Sequence, residues 1–250
     1  MNIKAFLFLI TANLIAFVKQ LIYAFHITPD QLAIWALCFF MLSLFTTYGS
    51  LGFSSFATRN MALEIAEGDR YRSTRWAKMV LLAQSIMIIP FIFGAYLFLR
   101  GGVYDTLQIY LLILFFVLSN CFFQIALYET QLSSPYNYGR VLLGKSLITV
   151  IVGYLVIQHY GVIGVIYLEG IACIVFGFWH ARLWLLKKKI ESELLSGSAI
   201  TESLKYLGSG FFSSIQLQID RFYSIRLLSQ LEFGILNFGL LVNTIALQLQ

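Results

Sequence analysis

The chain has 250 residues, of which 59% are hydrophobic, 16% aromatic and only 12% charged, with a formal net charge of +5. This excludes an ordinary soluble domain, and apolar runs near the roughly 20 residues needed to cross the hydrocarbon core predict an all-α, polytopic membrane protein. The runs lack the period-two alternation of a porin-like barrel, and the Lys and Arg residues cluster in short breaks between them, which reads as membrane topology and not as nucleic-acid binding.

Apolar runs bounded by polar breaks predict spans over about 5–26, 31–56, 77–99, 107–129, 139–158, 161–185, 204–227 and 233–250. The first follows Lys4 as a signal peptide would. It is interrupted by Asn13 and Lys19 and lacks a small-x-small cleavage site, so it reads as a retained helix. The second ends in Tyr48-Gly49-Ser50-Leu51-Gly52, where the glycines allow close packing or loosen the helix. Pro90 is expected to kink the third.

The breaks alternate in charge. His26–Asp30, Arg100–Asp105, 159–161 and 228–232 are poor in Lys and Arg, whereas the others hold Arg59, Arg70, Arg72, Arg75 and Lys78, then Arg140 and Lys145, then Arg182, Lys187, Lys188, Lys189 and Lys205. The positive-inside rule places the second set, and the N-terminus, in the cytoplasm.

Shifted by 201 positions, Lys19-Gln20 falls on Asp220-Arg221, Asn13 on Ser214, Thr28 on Ser229 and Ile34 on Ile235. This echo predicts two lobes built from parallel repeats. The expected organisation is a six-helix N-terminal lobe (1–186), a cytoplasmic linker (187–203) and the start of a C-terminal lobe (204–250). On that reading the sequence is a truncated product or fragment of a protein of about twelve or more helices.

Charges within apolar spans mark the candidate site, because an ionisable group near the bilayer centre costs on the order of 2.5–3.5 kcal/mol on insertion scales. In the seventh span, Ser213, Gln216 and Asp220 share one helix face, and Ser214, Gln218 and Arg221 form the neighbouring stripe. In the first, Asn13 and Gln20 align with Lys19 beside them. One reading makes these residues the lining of a cavity in which Lys19 and Arg221, with Arg226, bind an anion such as phosphate. Asp220 then holds Arg221 or binds a coupling cation or proton. The other reading has Lys19 and Arg226 snorkelling to the interface and Asp220 and Arg221 pairing for structure. Glu169, in the sixth span, is a proton site, a partner for Lys19, or a glutamate at a water-accessible helix end. Glu129 and the three histidines, His26, His159 and His180, fall near span ends.

Cys38, Cys121 and Cys173 show neither disulfide nor zinc spacing, so no metal and no cofactor are expected. No Walker loop, GxSxG or HExxH motif is present, so no catalytic residue and no enzyme activity is expected.

The run Tyr48 to Arg59, the basic segment through Gly68-Asp69-Arg70, and Ile219-Asp220-Arg221 followed by Glu232-Phe233-Gly234 resemble Wzx-type polysaccharide flippases of the multidrug/oligosaccharidyl-lipid/polysaccharide exporter superfamily. The resemblance implies a multi-pass protein of the bacterial inner membrane that flips an undecaprenyl-diphosphate-linked oligosaccharide, such as an O-antigen unit, by alternating access. Lys19 and Arg221 would attract the diphosphate. The implied partners are that lipid-linked oligosaccharide, membrane lipids, and a polysaccharide polymerase with other assembly proteins. A cation-coupled drug exporter of the same superfamily and a non-transporting scaffold in polysaccharide assembly are the alternatives.

Overall fold

Inside a bilayer a segment satisfies its own N–H and C=O groups by coiling into a helix, and among the described residues the chain forms helices and no strand. A computed structural model describes residues 3–68, 70–185, 197–237 and 239. The helices are α1 (Ile3–His26), α2 (Pro29–Tyr48), α3 (Phe53–Ala66), α4 (Arg70–Leu99), α5 (Leu107–Ser133), α6 (Pro135–Leu185) and α7 (Gly197–Leu227). The chain is helical again over 230–237. Within these helices, Leu7–His26, Pro29–Tyr48, Arg75–Leu99, Leu107–Ser133 and Pro135–Arg182 are long and apolar enough to cross a membrane. The protein is thus an all-α, multi-pass membrane protein.

Local chemistry sets the helix starts. Thr28 caps α2, its Oγ1 accepting from the Gln31 N–H at 3.3 Å, with Pro29 in the first turn and Asp30 beside it; each favours a helix N-terminus. Thr106 caps α5 in the same way through Ile109. At the same end, Asp105 accepts from the Gly101 N–H at 2.8 Å and the Tyr110 hydroxyl at 3.0 Å. These bonds, the backbone one first, hold its carboxyl below the ordinary aspartate range.

α6 is two antiparallel legs joined at Gly161, which has φ 59° and ψ −153°, a region open essentially to glycine alone. The sequence predicts two spans meeting at this point, and the legs turn there. A Cβ on Gly161 would also sit 3.1 Å from Nε2 of Gln31. Gly161→Ala is therefore expected to cost about 1–3 kcal/mol, read as a lower unfolding temperature of the purified protein.

α2 is the buried centre of the bundle. Ala33, Leu37, Cys38, Phe40, Met41 and Phe45 are at most 1% exposed, and the helix is apolar all round, as a helix enclosed by others must be. α5, α6 and α7 pack on it, α1 lies along α6, and α4 bridges α3 and α5. The first leg of α6 meets α1 through small residues: a Cβ on Gly139 would lie 2.9 Å from Cβ of Phe8, and one on Gly153 only 1.9 Å from the Tyr23 hydroxyl. Away from the core, Ile86, Ile89 and Phe93 of α4 and Ile151 and Leu155 of α6 are more than half exposed. That apolar surface suits lipid and not water.

Two boundaries differ from expectation. The predicted second span, 31–56, ends at Tyr48. The chain then turns through Leu51 (φ 50°) and Gly52 (φ 79°), and Phe53 opens a separate helix, α3. The glycines thus serve a turn and not the interior of a span. The expected linker, 187–203, is partly helix, because α7 begins at Gly197 and Ser203 is fully buried; 186–196 lie outside the described residues, as does the predicted eighth span beyond 237 except for 239. α4 continues through Pro90 as one helix.

Candidate functional site

Lys19 lies two turns before the end of α1, and Glu169 lies two turns after Gly161 in α6, so the two reach the same depth of the bundle. They meet there. The Lys19 ammonium donates to Oε1 of Glu169 in a buried ion pair. Lys145, from the first leg of α6, approaches the other oxygen, Oε2, at 3.8 Å. Lys19 and Glu169 are 8% and 4% exposed, so the carboxylate holds two ammonium groups in an apolar interior.

Neighbouring residues close the cluster above and below. One turn beyond Lys19, the Tyr23 hydroxyl donates to the Thr149 carbonyl, and its ring meets Trp35 edge-on at 5.6 Å. One turn beyond Glu169, the Cys173 thiol donates to Oδ1 of Asn120 in α5 at 3.3 Å. The Lys145 ammonium lies 4.6 Å from the centre of the Phe123 ring, a cation–π contact. Thus α1, α5 and both legs of α6 contribute polar groups to one site.

The charges do not cancel: two lysines face one glutamate, leaving one formal positive charge in excess. Born desolvation makes such an excess costly in a low-dielectric interior. Chemically, the cluster can bind an anion that replaces or supplements the carboxylate.

The other predicted residues fall elsewhere. Asn13 is exposed on α1 and Gln20 is half-buried. On α7, Asp220 is exposed and Arg221 half-buried, and neither forms an ion pair among the described residues. The side chains of Ser213 and Gln216 lie outside the described residues, as does that of Glu129. Arg226 is exposed, its guanidinium 5.3 Å from the Phe98 ring centre.

One contributor was not among the expected site residues. Lys145 counts in sequence as part of a basic break, although it stands almost three turns inside α6. Its signal is the spacing Lys145, Thr149, Gly153, a polar and small stripe at helical period on an apolar segment. Gln218, from the expected polar stripe of α7, is buried and donates from Nε2 to the Ser43 hydroxyl at 2.8 Å, joining α7 to α2, while its Oε1 has no hydrogen-bond partner among the described residues. At the end of the bundle where α3 meets α4, Glu64 and Arg75 pair at 2.9 Å, and Arg59 donates to the Tyr206 hydroxyl at 2.6 Å, tying α3 to α7.

No protein-family model, no curated protein and no solved structure matches the chain.

Proposed function

We propose that this chain serves lipid-linked oligosaccharide translocation in the bacterial inner membrane, as a flippase of the Wzx type working by alternating access, with its N-terminus in the cytoplasm. The observation that carries the reading is the buried Lys19–Glu169–Lys145 cluster, which keeps one positive charge in excess within membrane-spanning helices. Intramembrane charge of this kind marks substrate and ion pathways. The sequence resemblance at 48–59 and 219–234 supports the same class. Glu169 holds Lys19 while the site is empty, and the diphosphate, carrying more negative charge and more acceptor oxygens, competes for it. Arg221, half-buried on α7 and without an ion pair among the described residues, supplies a bidentate donor from the other side of the path. A cation-coupled drug exporter would need the Glu169 carboxylate open to a cation, and two ammonium groups already face its oxygens.

Complementation tests this. The reading frame is expressed in a bacterium whose own O-antigen flippase is deleted, with and without Lys19→Ala and Arg221→Ala. Restored surface polysaccharide, lost in both variants at unchanged protein level, is the expected result. Full restoration by both variants would remove the diphosphate assignment, and no restoration by the parent would favour the scaffold.

A further inference from the structure

We infer that the cavity between α5 and the two legs of α6 is a binding site for an anionic phospholipid, independent of the transport reading. The cavity measures about 650 Å³ and combines two kinds of wall. Thr130, Asn137, Arg140 and His180 supply polar groups. Val141, Val175, Phe176 and Trp179 supply an apolar surface, and Val175 and Trp179 are 59% and 62% exposed, so that wall opens outward from the bundle.

The polar side matches a phosphate, which offers acceptor oxygens and negative charge. Arg140 presents a guanidinium suited to two oxygens at once, and its plane is steadied over the Tyr136 ring at 5.7 Å. Asn137 and Thr130 can each donate. Nδ1 of His180 lies 2.8 Å from the Phe176 carbonyl; a carbonyl only accepts, so Nδ1 is the donor in that contact and Nε2 is the ring nitrogen left for other polar groups. Arg182 stacks on Trp179 with its guanidinium 3.9 Å from the ring centre, adding a further positive charge at the rim. No carboxylate occurs among the described lining residues.

Location distinguishes a lipid from a free anion. The lining residues come from the end of α5, the start of α6 and the end of α6, so the cavity sits where the membrane-spanning legs meet a basic connection. Basic pockets between helices at such a boundary suit anionic headgroups. The exposed apolar wall runs from there along the second leg, where an acyl chain can lie.

The test is native mass spectrometry of the purified full chain with phosphatidylglycerol, with phosphatidylcholine of the same acyl chains, and with inorganic phosphate as competitor. Phosphatidylglycerol is expected to be retained preferentially, and Arg140→Ala to weaken it about fivefold, the equivalent of one basic residue near an anionic surface. Arg140→Ala/His180→Ala should weaken it further. Arg100→Ala, at the opposite end of the bundle, should leave it unchanged. Equal retention of the two lipids by the parent, a measurement that needs no variant, would overturn the inference, as would unchanged retention in the double variant. Displacement of the lipid by inorganic phosphate at equal concentration would make this a free-anion site and also overturn it.

Discussion

Glu169→Leu is expected to destabilise the protein by about 3–5 kcal/mol, the cost of leaving a buried charge without its partner, whereas Lys19→Met and Lys145→Met should each cost much less. The asymmetry follows from sharing. Glu169 faces both ammonium groups, Lys19 at Oε1 and Lys145 at Oε2. Removing the carboxylate strands two positive charges in an apolar interior. Removing either lysine leaves a one-to-one pair and also eliminates the excess charge. Thermal unfolding of the purified variants, followed by resistance to proteolysis, reads the order directly. A Lys19→Met variant as unstable as Glu169→Leu would show that Glu169 is not shared. The triple change Lys19→Met/Lys145→Met/Glu169→Leu removes every charge at once and should recover most of the lost stability, since apolar replacements of buried ion clusters are often neutral. Under the proposed function that triple variant would be folded and inactive, which separates the role of the cluster in stability from its role in translocation.

The pairing at this site was partly legible in the sequence, and the reason is energetic. Lys19 and Glu169 stand alone in apolar runs, so the cost of burying each points to a partner. Lys145 was hidden by its neighbourhood: with Arg140 close by, it merges into a basic break, and only the stripe with Thr149 and Gly153 marks it as inward-facing. The turn after Tyr48 was hidden for a different reason. Residues 31–45 are almost all apolar, and although seven of the ten residues over 46–55 are Ser, Thr or Gly, small residues of this kind also occur inside packed membrane helices, so they do not by themselves announce the change of backbone region at Leu51 and Gly52. The short helix that follows does carry a signal, because Phe53, Phe56, Ala57, Met61 and Glu64, its buried residues, recur at helical spacing. Glu64 completes that stripe only because Arg75 meets it, a contact across two helices that no local pattern announces. The polar face of α7 illustrates the converse limit. Gln218 and Asp220 are two residues apart and both polar, yet one is buried against Ser43 and the other is exposed. Helical period sorts residues into faces, but which face the neighbouring helices cover is decided by packing.

Gly52→Ala is expected to be the most damaging single glycine substitution at the junction of α3 and α7. Two independent costs fall on the same atom. Gly52 has φ 79°, a conformation that strains any residue with a Cβ, by on the order of 1–3 kcal/mol. The added Cβ would also lie 2.0 Å from the carbonyl oxygen of Ser203 and 2.8 Å from the Leu207 nitrogen, and overpacking of this kind typically costs about 1–3 kcal/mol more. Both contacts are with backbone, so no rotamer change relieves them; α7 itself must move. Gly153→Ala provides the comparison. Its Cβ would meet the Tyr23 hydroxyl at 1.9 Å, but that is the end of a side chain, which can swing away at the expense of its bond to Thr149. Thermal unfolding should therefore rank Gly52→Ala below Gly153→Ala, and hydrogen exchange should rise across 203–207 in the former. Equal stability of Gly52→Ala and the parent would mean that α7 does not dock on this turn. Because α7 carries Arg221, a displaced α7 would shift that guanidinium relative to the Lys19 cluster. Under the proposed function, Gly52→Ala should then lose translocation even when expressed to the parent's level.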